Sequence, residues 1–179
     1  MGYAVELYFG QREEAAVRHV WDELARQNIS DVMPSLHARP HISLDVFDAL
    51  NPEALRPVLE SLAASTPPIE TLFASVAAFP SNEGVVFLAP VVTHEMLDLH
   101  ADFHRRLDRL GIACNPLYHP GHWVPHCTIA IDLPRAQVSS ALEACLQRAT
   151  IPAVLLTSIG ITEFRPVREV MEYPLIGTR

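Results

Sequence analysis

The sequence has no lysine. All 13 of its basic residues are arginine, set against 21 acidic ones, for a formal net charge of −8. This absence excludes Schiff-base catalysis and a Walker-type phosphate loop, both of which need a lysine amine. No run of arginines makes up for it. Long duplex nucleic acid is bound through extended basic surface, so no such partner is expected. A small or terminal phosphate, met in a cleft by an arginine or two, remains compatible with an acidic chain. Cysteine is scarce as well. Cys114, Cys127 and Cys145 are odd in number and widely spaced, which points to neither a disulfide framework nor a cysteine zinc site. No apolar run approaches the roughly 20 residues of a membrane-spanning helix, and the residues up to Phe9 lack the basic start of a signal peptide. A cytoplasmic protein with no membrane partner is expected.

What is present supports an ordinary core. Hydrophobic residues make up 49% of the 179, and a chain of this length buries about 70% of its unfolded surface as one domain. Tyr3 to Phe9 alternates as a strand, and Gln11 to Gln27 has a helical stripe at Val17, Val20, Trp21 and Leu24. Asn51-Pro52 starts a second helix with Leu55, Val58, Leu59 and Leu62 inward. Strands are expected over Ile69 to Phe79 and Val85 to Ala89. Thr93 caps a third helix that runs to Leu110, with Gly111 after it and a stripe of Met96, Leu99, Phe103, Leu107 and Leu110. Pro134 opens a fourth. Strands from Ala153 to Phe164 and Glu169 to Tyr173 close the chain.

Two short motifs organise these elements. Pro40-His41-Ile42-Ser43 and Pro125-His126-Cys127-Thr128 each place an imidazole and a hydroxyl two residues apart, on one face of a strand. The opposite faces, Ile42, Leu44 and Val46 in one copy and Cys127, Ile129 and Ile131 in the other, look to a core. One His-x-Ser/Thr alone carries almost no information. Here the surroundings match too: His41 stands 38 residues before Phe79, and His126 stands 38 residues before Phe164. Each interval holds a helix and then a strand led by proline, at Pro68 and Pro152. Internal repetition of this kind points to a duplicated fold.

The paired motifs in matched settings resemble the 2H phosphoesterase superfamily, whose bacterial members are described as 2'-5' RNA ligase or RNA 2',3'-cyclic phosphodiesterase. The resemblance spans essentially the whole chain. It departs from the common pattern at Ser43, where threonine is commoner, and at Asp45, whose counterpart is Ala130. The expected fold is α+β and bilobal, with an antiparallel sheet and outer helices in each lobe, a pseudo-two-fold axis and a central cleft. A single domain, 1–179, would contain repeats at about 37–92 and 122–177.

Two histidines on one cleft suit hydrolysis of a cyclic phosphodiester, one as base toward water and the other as acid toward the leaving ribose oxygen. Ser43 and Thr128 would donate to non-bridging phosphate oxygens. The resemblance implies the same four roles for His41, Ser43, His126 and Thr128. Symmetry leaves open which imidazole is which. Asp45, on the face of His41, would favour the protonated ring and make His41 the acid, unless it lies too far away or caps the strand end. Tyr118, His119 and Trp123, in the loop at 115–125, either wall the cleft and stack on a base or pack as a loop with Trp123 plugging the core edge. Arg39, Arg165 and Arg168 are candidates for phosphate contact.

His100 and His104, four apart, are a possible metal motif, but zinc needs about three converging ligands. They are read as core or helix-flank histidines, so no metal and no cofactor is expected. The partner is a nucleotide or RNA terminus bearing a cyclic phosphate, possible reverse 2'-5' ligation is implied by the family, and the chain is expected to be a monomer. The rival readings are a non-catalytic module that binds nucleotides or RNA ends, and a His-dependent metallohydrolase.

Overall fold

Strand β1 (Gly2–Phe9) shows the alternation that its sequence predicts. Val5, Leu7 and Phe9 are at most 1% exposed and face the core, while Ala4, Glu6 and Tyr8 take the other face. On one side β1 pairs with β2 (His41–Phe47), and on the other with β7 (Val154–Phe164), both antiparallel. Strand β7 also pairs with β3 (Ile69–Thr71) and β8 (Arg168–Pro174), completing a five-stranded sheet. A second, three-stranded antiparallel sheet runs β4 (Phe73–Ala78), β5 (Val86–Pro90), β6 (Cys127–Ala130). This is a computed structural model, and it describes residues 2–148 and 153–178. Pro152, expected to lead a strand, lies outside the described residues.

The two halves of the chain are interleaved. The β4–β5 hairpin of the first half carries β6 of the second, and the β7–β8 hairpin of the second half joins the sheet of β1 and β2. The expected strand over Ile69 to Phe79 is therefore two strands. The chain leaves the larger sheet after Thr71 and enters the smaller one at Phe73, with the Leu72 carbonyl accepting from Val91 N at the crossing.

Helices cover the sheets where their apolar stripes dictate. In α1 (Gln11–Arg26), Val17, Val20, Trp21 and Leu24 are buried. A single turn, α2 (Val32–Ser35), interrupts the connection that follows. Asn51 caps α3 (Pro52–Ser65) by accepting from Glu53 N at 3.2 Å, a contact of about 1 kcal/mol. Thr93 caps α4 (His94–Leu110) through Met96 N, and Gly111 ends it at φ 67, a left-handed position that glycine occupies at little cost. Leu110, expected in the stripe of α4, is half exposed in the last turn. A 3-10 turn at Arg135–Gln137 separates Pro134 from α5 (Val138–Arg148). Buried side chains from both sheets join in one core cluster. The result is an α+β, bilobal, antiparallel architecture with outer helices. Among the described residues, no helix is long and apolar enough to cross a membrane.

Candidate active site

In β2, His41 pairs with Tyr8 and Ser43 with Glu6, so these four share a face. A bulge follows. Val5 pairs with Asp45, leaving Leu44 as the extra residue, and Ala4 then pairs with Val46. One inserted residue turns every later side chain to the opposite face. Val46 therefore joins Ala4, Glu6, His41 and Ser43 around a cavity of about 420 Å³. Asp45 is turned inward and is fully buried. Its Oδ1 accepts from Val46 N at 2.7 Å and Asn115 N at 3.2 Å. The expectation that Asp45 bears on His41 is thus corrected, and so is the placing of Val46 in the core.

Strand β6 supplies the other wall. Thr128 pairs with Phe87 and lines the same cavity as His41 and Ser43. Strands β2 and β6 also lie against each other. His126 stands just before β6, not among the residues lining the cavity. Its ring is set edge-on to Phe79 at 4.9 Å and to Phe87 at 5.3 Å between centroids.

The two imidazoles are anchored identically. His41 Nδ1–H donates to Arg39 O at 2.6 Å, and His126 Nδ1–H donates to Val124 O at 2.7 Å. A carbonyl only accepts, so the hydrogen sits on Nδ1 in both neutral rings, and Nε2 carries the lone pair. Their further surroundings differ. His41 Nε2 lies 3.3 Å from Glu6 Oε1. His126 has its pKa lowered by burial and, to a lesser degree, by His41, against the raising effect of Val124 O. Its Nε2 is biased toward the unprotonated form. The two rings thus face different surroundings, a carboxylate at His41 Nε2 and aromatic rings around His126.

Each hydroxyl residue is held through its backbone by a tryptophan from the opposite motif's side of the chain. Trp123 Nε1–H donates to Ser43 O at 2.9 Å, and Trp21 Nε1–H donates to Thr128 O at 3.1 Å. Trp123 also stacks flat on His100, 4.0 Å between centroids and 4° between planes, which is the packed-loop alternative of the sequence reading. Tyr118 comes from the same loop, and burial pushes its hydroxyl up to about 12. His119 is exposed, with its Nδ1–H on Pro120 O.

Two of the three candidate arginines arrive with their charges balanced. Arg39 lines the cavity, but its Nε is bound by Glu14 and its Nη1 by Glu169 and Glu172, and its guanidinium lies over the Tyr8 ring. Arg168, also in the lining, pairs with Glu163 at 2.6 Å. Arg165 sits over Phe164, 5.8 Å from the ring centre. Three site neighbours escaped the sequence reading: Glu6, Phe79 and Phe87. Glu6 did leave a signal, as the one carboxylate in the otherwise apolar strand GYAVELYF.

A family model described as the 2'-5' RNA ligase superfamily matches residues 12–161. The chain belongs to this superfamily. Solved structures of the same fold include TT0787 of Thermus thermophilus, with 15% identity, 100% of both chains covered and a TM-score of 0.63. E. coli LigT complexed with 3'-AMP gives 15% identity, coverage of 97% of this chain and 96% of that one, and a TM-score of 0.56. Kluyveromyces marxianus Usb1 with uridine monophosphate gives 14% identity, 97% coverage of both chains and a TM-score of 0.50. No curated protein matches. This 2'-5' RNA ligase superfamily member is thus a 2H phosphoesterase in family and in fold, the family to which its paired motifs pointed.

Proposed function

We propose that the chain hydrolyses a 2',3'-cyclic phosphodiester, on an RNA end or a small nucleotide, without a metal in the reaction. His126 Nε2 takes a proton from water as the water oxygen attacks phosphorus. His41 Nε2 gives its proton to the ribose oxygen as the phosphorus–oxygen bond to it breaks. The ring opens to a phosphomonoester, and the two imidazoles return to their starting protonation through solvent. Ser43 and Thr128 donate to the non-bridging oxygens as negative charge gathers there. The observation that carries this reading is the unequal pair: two identically anchored imidazoles, one beside the Glu6 carboxylate and the other packed against aromatic rings.

The compensated arginines bear on the substrate. With Arg39 and Arg168 held by carboxylates, the cleft has little excess positive charge for a dianionic phosphomonoester. A cyclic diester carries one negative charge, and the dianion formed from it is bound less well and released. Arg39 remains in the proposal as part of the substrate wall, and Tyr118 as a neighbour of the site from the loop that precedes the second motif. His119 and Trp123 are proposed to act from behind the wall. The same machinery run backwards would form a 2'-5' bond, with water in excess opposing it.

The test is incubation with a panel of 2',3'-cyclic nucleotides and oligonucleotides ending in a cyclic phosphate, in excess chelator, with the products resolved as 2'- or 3'-phosphate. Ring opening to one regioisomer is expected. Binding of these compounds with no turnover would replace this reading with a nucleotide-binding module.

A further inference from the structure

The bulge that removes Asp45 from the cleft delivers its carboxylate to a second cluster behind the wall. Asp45, His104 and Cys114 each offer one donor atom, and these atoms all lie within 4.8 Å of one another. Asp45 is 0% and His104 3% exposed, and neither Asp45 Oδ2 nor His104 Nδ1 has a hydrogen-bond partner. His104 Nε2–H donates to Leu44 O at 3.3 Å, so in the neutral ring Nδ1 carries a lone pair. Asp45 Oδ2 faces that nitrogen at 4.0 Å. Two buried acceptors aimed at each other are costly unless they share a cation.

We propose that Asp45, His104 and Cys114 bind one divalent transition-metal ion, of which zinc is the best match. One carboxylate, one imidazole and one thiolate form a donor set of zinc type. Carboxylate and thiolate together carry two negative charges, which neutralise the dication in a buried site. Zinc bonds of about 2.0–2.3 Å place tetrahedral ligands roughly 3.3–3.8 Å apart, so small side-chain rotations close the set. The contacts that orient the ligands are in place: Leu44 O fixes the His104 tautomer, and two backbone N–H groups hold Asp45 Oδ1. Cys114 is partly exposed and lines a separate cavity with Val46, Asp48 and Asn115, which gives the ion a route in and water a route to the fourth position. His100 is outside this set, which holds only Asp45, His104 and Cys114 within 4.8 Å of one another.

The ion joins three segments: the strand of the first motif two residues after Ser43, helix α4, and the entry to the loop that leads to His126. It fixes the back of the cleft and takes no part in the reaction, so the site stands or falls independently of the proposed hydrolysis. This donor set is one that the His100/His104 spacing did not reveal.

The test uses the full chain, reduced, stripped with chelator and titrated with cobalt(II), followed by displacement with zinc. The expected result is one equivalent of cobalt with a thiolate-to-cobalt charge-transfer band and tetrahedral visible bands, and a melting temperature raised by zinc. Cys114→Ser and the isosteric Asp45→Asn should each abolish the band or weaken zinc binding by more than about tenfold, while His119→Ala with His122→Ala leaves both unchanged. The proposal is overturned if cobalt binds without the thiolate band, if Cys114→Ser binds it as well as the parent does, or if the protein takes up no ion and zinc leaves its melting temperature unmoved. Asp45 and His104 would then share only a proton, consistent with burial pushing the Asp45 carboxyl up to about 6.

Discussion

His41 and His126 share an anchor and differ in their neighbours, and that difference sets what each is expected to do. Burial against Phe79 and Phe87, together with the charge of His41, lowers the His126 pKa from its ordinary value near 6.5. A base with a lowered pKa stays unprotonated to lower pH. The acid limb of kcat/KM, a property of the coupled pair, should therefore lie below pH 6.5. Phe79→Ala opens the ring to water and should move that limb upward, toward the ordinary histidine value. A pH–rate profile of parent and variant checks this, and an unmoved limb contradicts it. Glu6→Gln keeps the shape but removes the carboxylate facing His41 Nε2. Turnover should fall on the order of tenfold or more, with KM changed much less, as steady-state kinetics would show. The motif residues were legible because a spacing of two fixes a shared face of a strand. Asp45 was misplaced because a bulge at Leu44 leaves no mark in the sequence, yet it inverts the facing of everything after it. Glu6 is separated from His41 by a whole helix, and only the strand pairing brings the two together.

At the scale of elements, the loop at 115–125 serves the opposite strand. It was legible as polar and aromatic, but not in its direction. Trp123 reaches across to Ser43 O, as Trp21 of α1 reaches across to Thr128 O. Trp123→Phe would keep an aromatic ring against His100 but lose the N–H and part of the indole's volume. With a partly buried carbonyl left unpaired, stability should fall by about 1–3 kcal/mol. The rate should drop more than substrate binding does, because the Ser43 hydroxyl is no longer held in place. Thermal melts and a separation of kcat from KM check both parts. An unchanged kcat beside a lowered melting temperature would make the contact structural only. The strand expected over Ile69 to Phe79 failed for a related reason: no Gly, Pro, Asn or Asp breaks it, and the change of sheet at Leu72 is fixed by pairing with distant strands. Helix boundaries were more legible, since caps such as Asn51 and Thr93 act within three residues of themselves.

Over the whole molecule, interleaving of the halves brings the motifs together. Each motif strand is paired within a sheet that also contains a hairpin from the other half, so neither half alone builds a complete wall of the cleft. We propose the repeats at 37–92 and 122–177 within a single bilobal domain on this basis. Composition foretold an acidic chain without extended basic surface, but not that Arg39 would meet three carboxylates. The central claim is that His41 and His126 act as one acid–base unit, and single-turnover hydrolysis of a 2',3'-cyclic nucleotide by His41→Ala, His126→Ala and the double variant tests it most directly. Each single change should cost on the order of 10²–10⁴ in rate, the double variant should be far less than multiplicatively worse, and product binding should survive in all three. Turnover at the parent rate in either single variant would contradict the account.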